Sequence, residues 1–120
     1  MTALLVALGA AVGAPLRYLT DRAVQARFGS AFPWGTLTVN VLGSLVLGLI
    51  TGLPTSPAVG ALVGTGFCGA LTTWSTLSYE TLRLARAGDR LPALANVLGS
   101  LAAGLAAASA GYALAQAVTG

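Results

Sequence analysis

The sequence predicts an all-α membrane protein with four transmembrane helices, on three observations. Hydrophobic types make up 56% of the 120 residues and charged types only 8%. The charged side chains are confined to two short segments, and turns rich in proline and glycine divide the apolar stretches. Soluble domains carry about 25% charged residues, so this chain lacks the polar groups to cover a surface facing water. We therefore exclude a soluble globule, a disordered chain and a coiled coil.

The chain has room for four spans within a single domain of residues 1–120. A spanning helix needs about 20 predominantly apolar residues. Residues 28–79 carry no charged side chain, which leaves room for two spans and a turn, and residues 91–120 carry none either. The predicted spans are residues 2–20, 32–52, 57–86 and 91–118.

Local signals set the limits of the first two spans. No basic residue precedes the apolar start of the first span, which distinguishes it from a secretory signal peptide. Pro15 is expected to kink this helix near its end. The second span begins near Pro33 and Trp34, because proline suits the first helical position and tryptophan suits the membrane interface. It ends at the turn of residues 52–57, which contains two prolines.

The third span contains a run of poor helix formers. Three glycines lie within residues 64–69, and six of the eight residues 72–79 carry hydroxyl groups. We expect the helix to break near residues 69–73, roughly in mid-membrane. Freed carbonyls at such a break can bind a cation, and freed N–H groups an anion; the alternative is a packing kink satisfied by Thr and Ser side chains. Gly88 suits a C-cap that ends this span, and Asp89 suits the start of the fourth.

The charges predict an orientation. In a four-span arrangement the loops near residues 21–31 and 87–91 lie on one side of the membrane, and both termini and the turn near residues 53–56 lie on the other. All six arginines lie on or near the first side, and the chain has no lysine. Positively charged loops stay in the cytoplasm, so we expect both loops inside and both termini outside.

A ten-residue repeat links the second and fourth spans. Residues 40–49 and 96–105 agree at eight of ten positions, beginning with Asn-Val-Leu-Gly-Ser-Leu. Spans two and four cross the membrane in the same direction, so the match fits either a parallel duplication or chance similarity between segments of one composition. The 16 glycines include pairs four residues apart, which let membrane helices approach closely and favour dimerisation.

Polar side chains form a stripe on the second span. Thr36, Asn40 and Ser44 follow one another at one-turn intervals and share a helix face. An amide in the membrane is costly unless it is hydrogen-bonded. The stripe is therefore either a clamp between helices or the lining of a path for something polar. No acidic residue lies near the middle of a span, which favours a small anion or water over proton-coupled export.

The residues that the chain lacks argue against an enzyme. It has no histidine, one cysteine and three carboxylates that are far apart in the sequence. No nucleophile–base pair, zinc site or disulfide can be assembled from these. The net charge of +3 is too small for a nucleic-acid footprint.

Three motifs resemble those of the Fluc (CrcB) fluoride channels. They are Gly-Ala-Pro-Leu-Arg-Tyr at 13–18, Gly-Thr-Leu-Thr-Val-Asn-Val-Leu-Gly-Ser at 35–44, and Gly-Phe-Cys-Gly-Ala-Leu-Thr-Thr-Trp-Ser-Thr at 66–76. The resemblance covers nearly the whole chain. It implies a fluoride-specific channel subunit in the bacterial inner membrane, which exports cytoplasmic fluoride passively.

The resemblance also implies roles for individual residues. Asn40 matches the pore asparagine that donates a hydrogen bond to fluoride, and Thr36 the threonine near the pore mouth. Ser75 and Thr76 match the hydroxyls of the polar track on the third helix. Ser44 continues the polar face of the second span and is assigned to the same pore.

A dimer and a metal ion are implied in the same way. Members of the family form antiparallel, dual-topology dimers with two fluoride pores and a central sodium ion. Gly69 and Thr72 match the positions whose backbone carbonyls hold this sodium. Arg17 matches the arginine near the aqueous vestibule.

The chain departs from the family pattern in two ways. The usual Phe-Ser-Thr-Phe is replaced by a motif in which Trp74 and Leu77 stand at the phenylalanine positions of the pore. Trp74 keeps an aromatic edge and adds an N–H donor, whereas Leu77 supplies neither. The arginine bias also contrasts with dual insertion. One hypothesis is pairing with a related subunit of opposite orientation; the other is a homodimer that tolerates the bias.

Two other functions are compatible with a small four-helix chain. A transporter of the small multidrug type would need a membrane-embedded glutamate in its first span, and residues 2–16 contain none. A non-conducting assembly subunit would use Asn40, Ser75 and Thr76 only for contacts between helices.

Overall fold

A computed structural model describes residues 1–29 and 31–119, and this part of the chain is helical without a strand. Its helices are α1 (Thr2–Phe28), α2 (Trp34–Gly52), α3 (Pro57–Val59), a π-helical segment (Gly60–Cys68), α4 (Gly69–Leu71), α5 (Trp74–Arg86) and α6 (Arg90–Thr119). We call residues 57–71 the first half-helix of the third span; α5 is the second. The predicted all-α class is confirmed for these residues, and helices α1, α2 and α6 are each long and apolar enough to cross a membrane.

Glycines allow the helices to pack in close pairs. Gly9 and Gly13 of α1 lie against the backbone of the first half-helix, where a Cβ at Gly9 would lie only 2.7 Å from the amide nitrogen of Phe67. Gly48 of α2 lies against Ala108 of α6, and a Cβ there would lie 2.9 Å from the Ala108 carbonyl carbon. Close backbone approach at small residues is how membrane helices gain packing energy without a hydrophobic effect between them.

Helices α2 and α6 run parallel. Gly48 is opposite Ala108, and Gly52, one turn later, is opposite Ala115. Residue numbers therefore increase in the same direction along both helices. The two copies of the ten-residue repeat therefore cross the bundle in the same direction. The longest dimension of the molecule is 47 Å, close to the about 40–45 Å of a bilayer with its headgroups.

Helix α1 extends beyond the predicted first span of residues 2–20. It passes Pro15 without ending and continues to Phe28. Its last two turns carry four of the helix's polar side chains, and among these the Gln25 amide donates to the Asp21 carboxylate at 2.9 Å. Such pairs one turn apart stabilise a helix. Hydropathy marked where the apolar stretch ends, but it carried no information on where the helix ends.

The third span breaks where the sequence predicts it. Helix α4 ends at Leu71, and Thr72 and Thr73 both adopt extended backbone angles before α5 begins at Trp74. On the α5 side, the break is stabilised by a hydrogen bond in which the Thr73 hydroxyl accepts from the backbone N–H of Thr76 at 3.1 Å. Thr73 is thus the N-cap of α5.

The chain reverses between α5 and α6 at the predicted C-cap. Gly88 adopts φ +87°, a left-handed conformation that glycine adopts without strain. Its N–H donates to the Ala85 carbonyl at 3.2 Å, and the Asp89 N–H donates to the Leu84 carbonyl at 2.9 Å. This pair of bonds is the Schellman arrangement.

The arginine-bearing segments meet at one end of the bundle. Asp21 near the end of α1 lies against Gly35 at the start of α2. The hydroxyl of Thr36 donates to the Glu80 carboxylate in the second half of α5 at 2.6 Å. The end of α1, the start of α2 and the end of α5 are therefore neighbours. We call this the arginine end, because all six arginines lie in or beside these segments.

Candidate functional site

A cavity of about 410 Å³ lies beside the break in the third span. Its walls come from α2, from both halves of the third span and from α6. Asn40, Ser44, Thr72, Thr73 and Ser100 supply its polar side chains, together with the indole of Trp74. None of the described residues that line it carries a charge. The site is therefore a pocket of neutral donors and acceptors in an apolar bundle.

Asn40 organises the break. Its Oδ1 accepts from the Thr73 backbone N–H at 2.7 Å, and its Nδ2 donates to the Thr73 carbonyl at 3.2 Å. The amide thus satisfies both main-chain groups of a residue that has left the helix, which a membrane interior requires. An asparagine amide has two N–H donors, and the described residues occupy one of them. The second remains available in the cavity wall.

The same contacts release two backbone carbonyls. In a continuous helix the Thr73 N–H would donate to the Gly69 carbonyl, but here it donates to Asn40. The Thr76 N–H would donate to the Thr72 carbonyl, but here it donates to the Thr73 hydroxyl. Within the described part of the chain, neither freed carbonyl accepts another backbone hydrogen bond. These are the two carbonyls that the resemblance assigns to sodium.

The start of α5 presents its side chains in different directions. Trp74 is 70% exposed and Leu77 only 5% exposed, and both line the cavity. The Thr73 hydroxyl donates to the Thr76 hydroxyl at 2.9 Å, and the Ser75 hydroxyl is 3.5 Å from the Thr73 hydroxyl oxygen. Ser75 and Thr76 form a hydroxyl cluster with Thr73, next to the cavity and outside its lining.

Thr36 and Arg17 lie apart from the cavity. Thr36 is 2% exposed and is held by its hydrogen bond to Glu80, so the predicted polar stripe divides: Asn40 and Ser44 face the cavity, and Thr36 faces the arginine end. Arg17 is half-buried, and its Nε has no hydrogen-bond partner among the described residues.

Sequence reasoning missed three residues of this region. Ser100 lines the cavity with a buried hydroxyl that has no partner in the described structure. It is the repeat equivalent of Ser44, so the repeat could have identified it. Thr73 had the usual signal of an N-cap, a threonine directly before a helix. Glu80 had no signal, because its partner is 44 positions away in the chain.

Comparisons with known proteins identify the family of this chain. The model of the family described as "CrcB-like protein, Camphor Resistance (CrcB)" matches residues 4–112. The chain belongs to this family. It is 60% identical to the fluoride-specific ion channel FluC 1 of Frankia casuarinae, with both chains covered completely. It is 58% identical to FluC 1 of Streptomyces avermitilis, with 98% of each chain covered, and 52% identical to FluC 2 of Rhodococcus jostii, with 95% of this chain and 98% of that one covered. The resemblance inferred from the motifs is confirmed.

Proposed function

We propose that this CrcB-family chain is a subunit of a fluoride-specific channel that lets cytoplasmic fluoride leave the cell passively. One observation carries the proposal: Asn40 keeps one N–H available in a cavity without charged side chains, while the rest of its amide holds the helix break. The relatives named fluoride-specific ion channels support the same substrate here, and a channel rather than an enzyme.

The chemistry of the cavity suits a small anion. Fluoride is strongly hydrated, so it needs close hydrogen-bond donors to leave water. Neutral donors can replace its hydration shell, whereas a carboxylate would repel it. We assign this role to the free N–H of Asn40, to the hydroxyl of Ser44 and to the edge or N–H of Trp74. The hydroxyls of Ser75 and Thr76 continue the path beyond the cavity.

The remaining pore residues have supporting roles in the proposal. Thr36 would lie near the mouth at the arginine end, where its hydroxyl is shared with Glu80. Arg17 would attract anions to the vestibule at that end. Leu77 would form an apolar wall of the cavity, because it offers no donor.

The freed carbonyls support a sodium site in an antiparallel dimer. Gly69 is exposed at the break, and a Cβ there would meet no atom within 4 Å. A hard cation prefers several oxygen ligands, and one chain offers two free carbonyls here, from Gly69 and Thr72. Two copies related by a two-fold axis would offer four. The ion would neutralise carbonyl dipoles that are otherwise unpaired in the membrane.

The arginine bias supports pairing with a related, oppositely oriented subunit. All six arginines lie at or near one end of the bundle, which favours one insertion direction with that end in the cytoplasm of a bacterial inner membrane. A partner could also supply aromatic groups that this chain replaces by Leu77.

Fluoride efflux from proteoliposomes tests the function. One set of liposomes is loaded with potassium fluoride and a matched set with potassium chloride. Valinomycin lets potassium leave so that anions can follow, and ion-selective electrodes measure the fluoride or chloride released. The chain is reconstituted alone and together with a related chain of opposite arginine bias. The proposal expects fluoride efflux far above chloride efflux in at least one of these samples. Absence of fluoride efflux from both would refute it and would favour a non-conducting assembly subunit.

The same samples separate the two dimer hypotheses. Pairing with a second subunit predicts little flux from this chain alone and restoration by the partner. An active homodimer of the purified chain would rule out the need for a partner. A small multidrug-type transporter is disfavoured because the first span lacks a membrane carboxylate, and efflux of organic cations driven by a proton gradient would revive it.

A further inference from the structure

A second, apolar groove of about 430 Å³ lies between the end of α1 and the start of α2, away from the cavity at the break. Val24 and Phe28 of α1 form one wall. Residues of α2 form the other: Trp34, Leu37, Thr38, Val41 and Leu42. Phe28 is 63% exposed, Trp34 44% and Leu42 43%. The groove thus opens outward from the bundle, towards the lipid in a membrane.

Aromatic rings surround the mouth of the groove. The ring centroids of Phe28 and Trp34 are 6.4 Å apart, and those of Phe32 and Trp34 are 4.8 Å apart. Aromatic side chains gather at the headgroup level of a bilayer. The mouth therefore lies at the interface, and the wall from Trp34 to Leu42 extends about 12 Å into the hydrocarbon at the rise of an α-helix.

A basic residue adjoins the mouth along the chain. Arg27 directly precedes Phe28 and lies one turn after Val24 on the same helix. The negative end of the α1 dipole and the positive end of the α2 dipole meet here and oppose each other, so the side chains decide the local potential. The nearest acid along α1, Asp21, accepts from the Gln25 amide and lies under the start of α2, against Gly35.

We propose that this groove binds one acyl chain of an anionic glycerophospholipid, with the lipid phosphate at Arg27. An apolar wall below an aromatic mouth and a single guanidinium matches a lipid with a charged headgroup. A free anion would find one hydroxyl in the groove, that of Thr38, which already donates to the Trp34 carbonyl at 2.8 Å. A second copy of the chain would have to bury the Arg27 guanidinium, which is costly without a partner charge. The site is independent of the fluoride pathway.

Native mass spectrometry of the purified chain tests the site. The chain is released from mixed micelles with equal amounts of phosphatidylglycerol and phosphatidylcholine of the same acyl composition. One arginine near an anionic surface contributes about 1 kcal/mol, which corresponds to a preference for phosphatidylglycerol of about fivefold. Arg27→Gln should remove this preference. Leu37→Trp, which fills the groove, should reduce the retention of both lipids.

Arg22→Gln is the matched control, because it removes the same charge from the same end of α1. Arg22 faces another direction: its guanidinium donates to the Tyr18 hydroxyl at 3.1 Å and lies over that ring. The proposal expects Arg22→Gln to keep the wild-type preference. Equal retention of both lipids by the wild type, or equal loss of preference in Arg22→Gln and Arg27→Gln, would overturn it. Cross-linking of Val41→Cys between two copies would also overturn it, because a second copy would then fill the groove.

Discussion

The repeat contains two glycines at equivalent positions for which the structure predicts opposite effects of alanine. A Cβ at Gly48 would overlap the carbonyl oxygen of Ala108 and lie 2.9 Å from its carbonyl carbon, whereas ordinary contact begins at 3.4 Å. These are backbone atoms, so α2 and α6 must separate before a Cβ can fit between them. Overpacking of this kind costs about 1–3 kcal/mol. We take the upper end of this range because backbone atoms, unlike a side chain, cannot move aside by changing rotamer. The higher helix propensity of alanine offsets about 1 kcal/mol of this packing cost, so Gly48→Ala should be destabilised by about 2 kcal/mol.

Gly104 is the matched control, eight residues into the second copy of the repeat. The nearest atom to a Cβ there is the Ser44 hydroxyl oxygen at 3.5 Å, an ordinary contact. Gly104→Ala should therefore gain up to about 1 kcal/mol from helix propensity alone. The two variants should differ in free energy of unfolding by about 3 kcal/mol.

Equilibrium unfolding by SDS from detergent micelles measures this difference. The fluorescence of Trp34 and Trp74 reports the transition in all three proteins, since neither tryptophan is changed. The packing argument would be refuted if Gly48→Ala were as stable as the wild type, or if Gly104→Ala were the less stable of the two variants.

Substitutions at three further positions test two polar contacts and one pore residue. Thr73→Ala removes the N-cap of α5 and should cost about 1 kcal/mol, and Thr73→Ser should restore the wild-type unfolding midpoint; equal losses in both would argue against the cap. Asn96→Ala removes the hydrogen bond from the Asn96 amide to the Thr81 hydroxyl at 2.9 Å. It should lower the free energy of unfolding by about 1 kcal/mol, while fluoride efflux per folded protein stays at the wild-type level. Trp74→Ala should leave the unfolding midpoint unchanged, because this side chain is 70% exposed. It should reduce fluoride efflux about tenfold, which corresponds to a loss of about 1.4 kcal/mol. Unchanged efflux would show that Trp74 is not part of the fluoride pathway.

The features that the sequence predicted well are those that depend on local composition. The apolar stretches located the helices, and the glycines and hydroxyl residues before Trp74 located the break. Gly88 indicated a C-cap, because the left-handed backbone conformation at that position favours glycine. Each of these signals lies within a few residues of the structure it specifies.

The features that it missed depend on contacts between distant segments. Asn40 was predicted as either a clamp or a pore donor, and its bonds to Thr73 give it the first role while leaving an N–H for the second. Which glycine pairs would be buried was equally undetermined: Gly48 lies against backbone, whereas a Cβ at Gly60 would meet no atom within 4 Å. Only the packing of the helices against one another distinguishes them.

Fluoride efflux through two asparagine variants tests the central claim, that the anion passes Asn40 at the break of the third span. Asn40→Asp replaces the free N–H by a carboxylate in the cavity and should abolish efflux by repelling the anion. Asn96→Asp makes the same change at the repeat-equivalent position, which is 1% exposed and outside the cavity lining, so the folded fraction should keep its efflux. Wild-type efflux in Asn40→Asp, or equal loss in both variants at matched folded fractions, would contradict the account.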